Sequence, residues 1–298
     1  MVRIPQDRTP AWTWPEKMQG TIVSVTALEA AAQRHAATQD APLGGGVVYP
    51  CLRGRRVIVT GGASGIGEAI VAGFARQGAR VGFLDVQEEA GLALALRLGA
   101  EADVPHAPLF VAQDVADAAG LGRALATLAE GLEGCDILVN NAASDDRHAI
   151  DAVTPDYWDD RMGVNLKHAF FASQAVWPGM KAQGQGVILN LGSISWHLGL
   201  DDLTLYQVAK AGIEGLTRSL ARELGPHGIR VNTIIPGNVQ TERQKRWYTP
   251  DGEAEIVAAQ CLKGRIQPHD IAAMTLFLAS DQARFCTAHA YWVDAGWN

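Results

Sequence analysis

From Arg55 onward, short runs of apolar and β-branched residues alternate with longer segments in which apolar residues recur at helical spacing. Seven of these runs are typical of strands: RRVIVTG, RVGFLDV, LFVAQDV, CDILVNNA, GVILNLGS, RVNTIIPG and AYWVDAG. Because the runs are apolar throughout, both faces of each strand should be buried, as in a parallel sheet covered by helices. The pattern predicts a doubly wound α/β fold, with a seven-stranded parallel sheet and helices on both faces.

No internal repeat or low-complexity linker divides residues 47–298, which we interpret as a single domain. Residues 1–46 differ in character, with the segment RTPAWTWPEKMQG, an alanine-rich stretch and then APLGGG. We interpret them as a flexible N-terminal extension. The alternative is a helix over residues 21–39 that contacts a neighbouring subunit through Trp12 and Trp14.

The charge balance excludes several classes of partner. Twenty-five Lys and Arg against 32 Asp and Glu give a net charge of -7, so the chain has no basic field for nucleic acid or for a membrane surface. No apolar run approaches the ~20 residues of a membrane span, and no signal peptide is evident. Small-molecule partners and a cytoplasmic location are expected. The four cysteines are Cys51, Cys135, Cys261 and Cys286. They form no CxxC pair, so we expect neither a metal site nor a disulfide framework.

The segment VIVTGGASGIGEAI combines a strand, a glycine-rich turn and the start of a helix. Gly61, Gly65 and Gly67 stand where a tight turn and a close pyrophosphate leave no room for a side chain. Ser64 and Ile66 complete the turn. The helix N-terminus would then face the phosphates, so the segment predicts a dinucleotide cofactor and a Rossmann fold.

Asp85 ends the second predicted strand, 18 residues after Gly67. An acid at this place accepts hydrogen bonds from the adenosine ribose hydroxyls, which favours NAD. A 2'-phosphate would be repelled, and none of Ala63, Ser64 or Val86 offers a compensating cation. A helix-capping role for Asp85 is the alternative.

Asp114 and Val115 follow the third predicted strand. By the same reasoning they are candidates for holding the adenine edge. An ordinary turn role for the aspartate is the alternative.

The segment YQVAK places the phenol of Tyr206 four residues before the ammonium of Lys210, on one face of a predicted helix. An ammonium beside a phenol lowers the pKa of the phenol, which is ordinarily about 10. A general base near neutral pH is one interpretation. A chance pairing on a helix surface is the other.

TGGASGIG, NNAA, NLGSIS and YQVAK occur in that order, and together they resemble the short-chain dehydrogenase/reductase superfamily from Arg53 to Gly296. Ser193 lies 13 residues before Tyr206, as in that family, so Ser193 rather than Ser195 is the matching serine. Asn165, in GVNLKH, matches the fourth member of the family's catalytic tetrad.

The resemblance implies roles for these four residues. Tyr206 as phenolate would take the proton of a substrate hydroxyl, and Lys210 would stabilise the phenolate and bind the nicotinamide ribose. Ser193 would donate a hydrogen bond to the reacting oxygen, and Asn165 would anchor a water that relays the proton. The resemblance also implies a homo-oligomer, with a tetramer as the expected state.

Further cofactor contacts are implied at family positions in the segments LVNNAAS and PGNVQT. They are Asn140, Asn141, Pro236, Val239 and Thr241. Two residues depart from the family pattern, since Ala143 and Ala295 stand where it usually has glycine.

The C-terminal segments GSISWHLGL, PGNVQTERQKRWYTP and AAQCLKGRI are similar to a bacterial group of this superfamily, the NAD-dependent D-xylose 1-dehydrogenases. That likeness implies oxidation of an aldopentose at C1 to the aldonolactone. Ser193, Tyr206, Trp196, His197 and Asn238 are the expected sugar contacts. Other loop candidates are Asp145, Arg147, His148, Gln240, Trp247 and Tyr248.

Three alternatives stay open from the sequence. One is a dehydrogenase of L-arabinose or another aldose, and the second is a 3-oxoacyl or ketone reductase of the same superfamily. The third is a catalytically silent NAD-binding regulator on the same fold.

Overall fold

The computed structural model describes residues 46–245 and 248–297. The predicted helix over 21–39, with Trp12 and Trp14, lies outside the described residues, and so does Trp247. The N-terminal extension therefore stays a prediction.

All seven predicted strands are present, and they form one parallel sheet in the order β3-β2-β1-β4-β5-β6-β7. The order reverses between β1 and β4, which is the point where doubly wound sheets open a crevice for ligands. The strands are β1 (Arg56–Thr60), β2 (Arg80–Asp85), β3 (Leu109–Ala112), β4 (Ile137–Asn140), β5 (Gly186–Leu191), β6 (Ile229–Pro236) and β7 (Ala290–Val293).

Helices cover both faces of the sheet, as the apolar strands predict. The described α-helices are α1 (Gly65–Arg76), α2 (Glu88–Gly99), α3 (Ala118–Leu132), α4 (Pro155–Met162), α5 (His168–Ala182), α6 (Ser195–Leu198), α7 (Thr204–Leu224), α8 (Glu242–Lys245), α9 (Pro250–Ala259) and α10 (Pro268–Ala279). Short 3₁₀ turns at Pro50–Leu52, Ile150–Ala152, Gly225–His227 and Asp281–Ala283 join some of them.

Two apolar layers enclose the sheet because successive strand residues point to opposite faces. Val57 and Val59 of β1 pack with α1, α2 and α10 on one face. Ile58, between them, packs on the opposite face with α3, α5 and α7. All three β1 side chains are fully buried. The doubly wound fold predicted from the sequence is confirmed.

A π-helical turn, Gly163–Lys167, joins α4 to α5 without a break. Asn165 sits in this turn, fully buried, rather than in regular α-helix. Single π turns inside helices often occur at functional sites, because the extra residue re-aims the neighbouring side chains.

None of the helices in the described part of the chain is long and apolar enough to cross a membrane.

An ion pair ties β1 to the start of β4 at the amino edge of the sheet. The Arg56 guanidinium donates through Nε to Asp136 Oδ2 at 2.9 Å, and the Arg56 backbone N–H donates to the same oxygen at 2.9 Å. The Asp136 side chain is only 8% exposed. Removing its carboxylate would leave a half-buried cation without its partner, a change that is strongly destabilising.

We therefore expect Asp136→Ala to lower the free energy of unfolding by about 3 kcal/mol. Asp281→Ala is the matched control, because its carboxylate is 66% exposed and lies 3.6 Å from Arg55; we expect a change within about 0.5 kcal/mol there. Urea denaturation measures both. Equal losses in the two variants would contradict the assignment.

Candidate active site

A cleft of about 980 Å³ opens at the carboxyl edge of the sheet, where the loops after β1, β2, β3, β4, β5 and β6 converge. Most residues expected at a cofactor or substrate site line this one cleft. They are Gly61, Ser64, Gly65, Ile66, Gly67, Asp85, Asp114, Val115, Asn141, Ser193, Tyr206, Lys210, Pro236, Asn238, Val239 and Thr241.

The glycine turn after β1 forms a cradle that side chains would fill. A Cβ built on Gly67 would lie 1.8 Å from the Gly61 carbonyl oxygen, and Gly61 and Gly65 have φ angles of +66° and +57°. These backbone angles favour glycine. The turn opens into the N-terminus of α1, whose free N–H groups suit a pyrophosphate. The residues present therefore fit a dinucleotide.

Asp85 lies at the end of β2 with its carboxylate fixed by backbone groups. Its Oδ2 accepts from the Ala63 N–H at 3.0 Å, and its Oδ1 accepts from the Gln87 N–H at 2.9 Å. Oδ1 also accepts from Gln87 Nε2 at 3.3 Å, so Oδ2 is the oxygen that retains acceptor capacity for a ribose hydroxyl. The cleft residues adjoining Asp85 in sequence, Val86 and Gln87, carry no positive charge.

Asn140, the last residue of β4, and Asn141, which follows it, point in different directions, because successive residues alternate between the faces of the sheet. Asn140 is buried away from the cleft and donates through Nδ2 to Asn190 Oδ1 at 2.8 Å. Asn141 faces the cleft and donates to the Gly61 carbonyl at 2.7 Å. The Asn141 amide thus braces the glycine turn, whereas the expectation that the Asn140 side chain lies beside the cofactor is not met.

Lys210 is the most enclosed charged group of the cleft, at 2% exposure. Its Nζ donates to the Leu191 carbonyl, at the end of β5, at 2.7 Å and lies 5.5 Å from the centre of the Tyr206 ring. Burial lowers the pKa of Lys210 to about 8, although the Asp145 carboxylate opposes this shift.

The pKa of Tyr206 is raised, contrary to the sequence-based expectation that Lys210 lowers it. Burial of the phenol is the largest cause, and the Asp145 carboxylate adds to it, while the Ser193 hydroxyl and Arg243 act in the opposite direction. Lys210 turns its ammonium to the Leu191 carbonyl, so the ammonium is not dedicated to the phenol.

Ser193 is held beside the phenol by its neighbour Ser195. The Ser193 hydroxyl donates to Ser195 Oγ at 2.9 Å and accepts from the Ser195 N–H at 3.1 Å. Ser195 is buried and also lines the cleft. From the sequence Ser195 was expected only to pack in a loop, and its contact with Ser193 becomes visible only in three dimensions.

The Asn165 side chain does not line the cleft. Its Oδ1 accepts from the Ser144 N–H at 2.8 Å, and its Nδ2 donates to the Ser144 carbonyl at 3.0 Å. Asn165 therefore clamps the loop after β4, and both ends of its amide are engaged.

Trp196 and His197, expected as sugar contacts, lie outside the cleft on α6. Trp196 Nε1 donates to Glu214 Oε1 at 2.7 Å, and His197 Nε2 lies 3.0 Å from the same oxygen. The His197 ring packs against Trp292 of β7 at 4.3 Å between centres. The short helix directs both rings onto α7 and β7, so the sugar-contact expectation for this pair is not met.

Other loop candidates divide between the cleft and its surroundings. Asp145 and Arg147 line it, whereas His148, Gln240 and Tyr248 are not among its lining residues. Tyr248 OH donates to Asn238 Oδ1, and Arg265 Nη2 donates to the same oxygen at 2.8 Å. Tyr248, which does not line the cleft, thus orients the Asn238 amide, which does.

The two departures from the family pattern fall at different places. Ala143 lines the cleft. Ala295, after β7, adopts a φ of +58°, which costs a non-glycine residue about 1 kcal/mol.

Within the described ranges no group of three or more His, Cys, Asp or Glu side chains is arranged to hold a metal ion.

The buried ammonium of Lys210 makes a prediction about stability. Its pKa of about 8 lies below the ordinary 10.5, so at neutral pH the folded state carries a penalty on the order of 3 kcal/mol. The penalty is complete below about pH 8 and fades as the pH rises toward 10.5, because the unfolded chain then also loses the proton.

Lys210→Met removes this penalty and also the hydrogen bond to Leu191, which is worth about 1 kcal/mol. We expect the variant to be more stable than the wild type by about 2 kcal/mol at pH 7, with a smaller difference at pH 10. Chemical denaturation at the two pH values measures the difference. A variant that is less stable at both would contradict the burial penalty.

Known proteins resemble both the sequence and the fold. The family model described as "Enoyl-(Acyl carrier protein) reductase" matches residues 61–298. The D-xylose 1-dehydrogenase of Caulobacter vibrioides (strain NA1000 / CB15N) is 57% identical over 250 residues, which cover 84% of this chain and 98% of that protein. A protein of Rhizobium meliloti (strain 1021) named "Probable galactose dehydrogenase GalD" is 47% identical over 249 residues, 83% of this chain and 96% of its own.

Among solved structures, a 7α-hydroxysteroid dehydrogenase complexed with NADH and 7-oxo glycochenodeoxycholic acid superimposes with a TM-score of 0.78. It is 30% identical and covers 83% of this chain and 96% of its own. The site and these matches point to the same family. The site contributes the glycine cradle and the serine, tyrosine and lysine of the cleft. The chain belongs to the short-chain dehydrogenase/reductase superfamily of nicotinamide-dependent oxidoreductases.

Proposed function

We propose that this protein oxidises D-xylose at C1 to the aldonolactone, with NAD as the hydride acceptor. The observation that carries the proposal is the 57% identity to the Caulobacter D-xylose 1-dehydrogenase, which extends over 98% of that relative. The cleft supports it, because its reacting end is rich in hydroxyl, amide and carboxylate groups of the kind that bind sugars.

In the proposed reaction the C1–H bond and the O1–H bond of the cyclic sugar break, and C1 becomes the lactone carbonyl carbon. The oxidised nicotinamide supplies a hydride acceptor when it is bound. Tyr206 as phenolate takes the O1 proton, and the Ser193 hydroxyl donates to the same oxygen and holds it in line. In the structure the single hydroxyl proton of Ser193 is donated to Ser195 Oγ, so it would turn to the sugar oxygen on binding, while the Ser195 N–H keeps Ser193 Oγ in place.

Lys210 serves the reaction from its buried position on α7. Its ammonium, attached to the Leu191 carbonyl, would bind the nicotinamide ribose. Its positive charge, 5.5 Å from the centre of the Tyr206 ring, would offset part of the effect by which burial and Asp145 raise the pKa of the phenol. Asn165 acts less directly than the resemblance implies. Its amide holds the backbone of Ser144, and through it the loop that forms one wall of the cleft.

The assignment of NAD rather than NADP rests on Asp85. Its carboxylate is held by two backbone N–H groups and the Gln87 amide, and Oδ2 has a lone pair left for a ribose hydroxyl. It would repel a 2'-phosphate. Ser64, Asp114 and Val115 line the same end of the cleft, where they would border the adenosine.

Pro236, Val239 and Thr241 line the cleft along the loop after β6, which we propose as the border of the nicotinamide. Asn238 is the proposed sugar contact on this loop, since Tyr248 and Arg265 orient its amide. The Trp196 and His197 rings are not part of the proposed sugar site.

We also propose a homo-oligomer, with a tetramer as the expected state. Four large apolar side chains on α4, α5 and α7 are 37 to 45% exposed: Trp158, Phe170, Phe171 and Val208. Exposed apolar groups of this kind favour contact with a second copy of the chain. A cytoplasmic location is proposed from the cysteines, all four of which are free.

NADH formation tests the proposed substrate and cofactor together. We expect the purified enzyme to give its highest kcat/KM with D-xylose, ahead of L-arabinose, D-galactose and D-glucose. We also expect NAD to be preferred over NADP by about tenfold or more, because Asp85 repels the 2'-phosphate. Turnover of a secondary alcohol or a ketone without any sugar turnover would contradict the proposal.

D-galactose is in the panel because a second candidate function has a specific observation behind it. The Rhizobium relative named as a galactose dehydrogenase shares 47% identity over 96% of its length. A higher kcat/KM for D-galactose would keep oxidation at C1 and replace the pentose by a hexose.

Tyr206→Phe tests the proposed base. The substitution deletes one hydroxyl, so we expect kcat to fall by at least about a thousandfold while NADH binding, followed by fluorescence, stays close to that of the wild type. Tyr49→Phe is the matched control, because Tyr49 does not line the cleft. A Tyr206→Phe variant with near-normal turnover would remove Tyr206 from the mechanism.

A further inference from the structure

A cluster of four charged side chains and one amide forms part of the wall of the cleft. The loop after β4 contributes Asp145 and Asp146, α4 contributes Arg161, and α8 contributes Arg243 and Gln244. All five residues line the same cleft as Tyr206 and Lys210. We call these five residues the charged wall.

Within the charged wall, Asp146 is largely engaged by its neighbours. Arg161 Nη1 and the Ser144 hydroxyl donate to its Oδ2 at 2.6 and 2.7 Å, and Arg243 Nη2 donates to its Oδ1 at 2.7 Å. Burial raises the pKa of Asp146, but Ser144 and the two arginines lower it by more, so the net shift is downward. Asp146 is therefore a fixed anion that ties α4 and α8 to the loop.

Asp145 is engaged differently. Its Oδ2 accepts from Gln244 Nε2 at 2.6 Å, and its Oδ1 lies 3.1 Å from Arg243 Nη2, the donor that also serves Asp146. A carboxylate offers about four lone-pair sites, so each oxygen of Asp145 keeps acceptor capacity. The side chain is 30% exposed, and the cleft is the space it lines.

The negative charge of Asp145 changes the pKa of both Tyr206 and Lys210. Among the groups that shift Tyr206 and Lys210, Asp145 is common to both, and it raises the pKa of each. The other groups around the pair are Arg243, which lowers the pKa of Tyr206, and His168, whose own pKa is lowered by burial and by Lys210. The Asp145 carboxylate is thus the negative group that acts on both reacting side chains.

We propose that Asp145 is a substrate-positioning residue whose carboxylate accepts a hydrogen bond from a sugar hydroxyl other than the reacting one, and thereby selects polyhydroxy substrates. The proposal rests on the proposed sugar oxidation and names a determinant of its specificity. Arg243 and Gln244 hold the carboxylate from α8, so its direction is set before the sugar arrives.

The chemistry of a carboxylate explains the class of substrate. A sugar hydroxyl is a donor that an ionised carboxylate accepts strongly. A simple alcohol offers no second hydroxyl and gains nothing from Asp145. Arg161 and Arg243 pair with Asp145 and Asp146, so the formal charges of the wall balance, and its preference for a sugar rests on the second hydroxyl as a donor.

Asp145→Asn tests the proposal, since it removes the charge and preserves the shape. We expect KM for D-xylose to rise by roughly tenfold or more, because a hydrogen bond to a charged acceptor is replaced by a neutral one. The KM for NAD should stay unchanged. Loss of the negative charge also lowers the pKa of both Tyr206 and Lys210, so the whole pH profile of kcat/KM should move to lower pH.

Two further variants distinguish a residue that positions the sugar from one that only supports the wall of the cleft. Asp151→Asn makes the same substitution at an exposed residue of the same loop that does not line the cleft, and its KM and pH profile should match the wild type. Gln244→Ala removes one anchor of Asp145 but keeps the charge, so we expect it to raise the sugar KM without moving the pH profile.

The outcomes distinguish this proposal from the proposed function. If the wild type oxidises a sugar and Asp145→Asn matches it in KM and pH profile, Asp145 has no positioning role. If Asp145→Asn raises KM to the same extent as Gln244→Ala, with no movement of the pH profile, its role is only structural and the proposal is overturned. If the wild type oxidises no sugar at all, the proposed function fails first and the Asp145 proposal fails with it.

Discussion

The burial of the Lys210 ammonium is the constraint on which the rest of the site depends. An ammonium at 2% exposure is costly, and it stays in place because α7 is packed closely on the sheet and presents it to the Leu191 carbonyl. A chain of buried hydrogen bonds fixes that helix. Asn190 Nδ2 donates to Thr217 Oγ1 at 2.8 Å, and the Thr233 hydroxyl donates to the same atom at 2.7 Å. The sheet therefore determines where the reacting groups stand.

The remaining parts of the cleft follow from the parallel sheet, because the carboxyl ends of its strands all meet at one edge. The turn after β1 supplies a cradle that only glycine fits, and the end of β2 supplies a carboxylate held by backbone N–H groups. The loops after β4 and β6 supply opposite charges that pair across the opening. One end of the cleft thus suits a dinucleotide and the other a polar substrate, and negative charge at the second end raises the pKa of both reacting side chains.

Much of this was predictable from the sequence, for physical reasons. Continuous apolar runs predict buried parallel strands, and a glycine-rich turn between the first strand and its helix is typical of a dinucleotide site. The direction in which each side chain points, and the contacts between residues far apart in sequence, were not predictable. Neither the turning of Trp196 and His197 toward Glu214 nor the commitment of Asn165 to Ser144 is encoded in local spacing. The pairing of Arg243 with Asp146, 97 residues apart, and the raised pKa of Tyr206 depend on tertiary packing.

The central claim is that a sugar loses a hydride from C1 in this cleft while Tyr206 takes the proton from O1. The most direct measurement uses D-xylose that carries deuterium at C1, with the NADH isolated after turnover and its mass determined by mass spectrometry. The account predicts that each NADH formed carries one deuterium and that the labelled sugar reacts no faster than the unlabelled one. NADH without deuterium would place the oxidation at another carbon and would contradict the account.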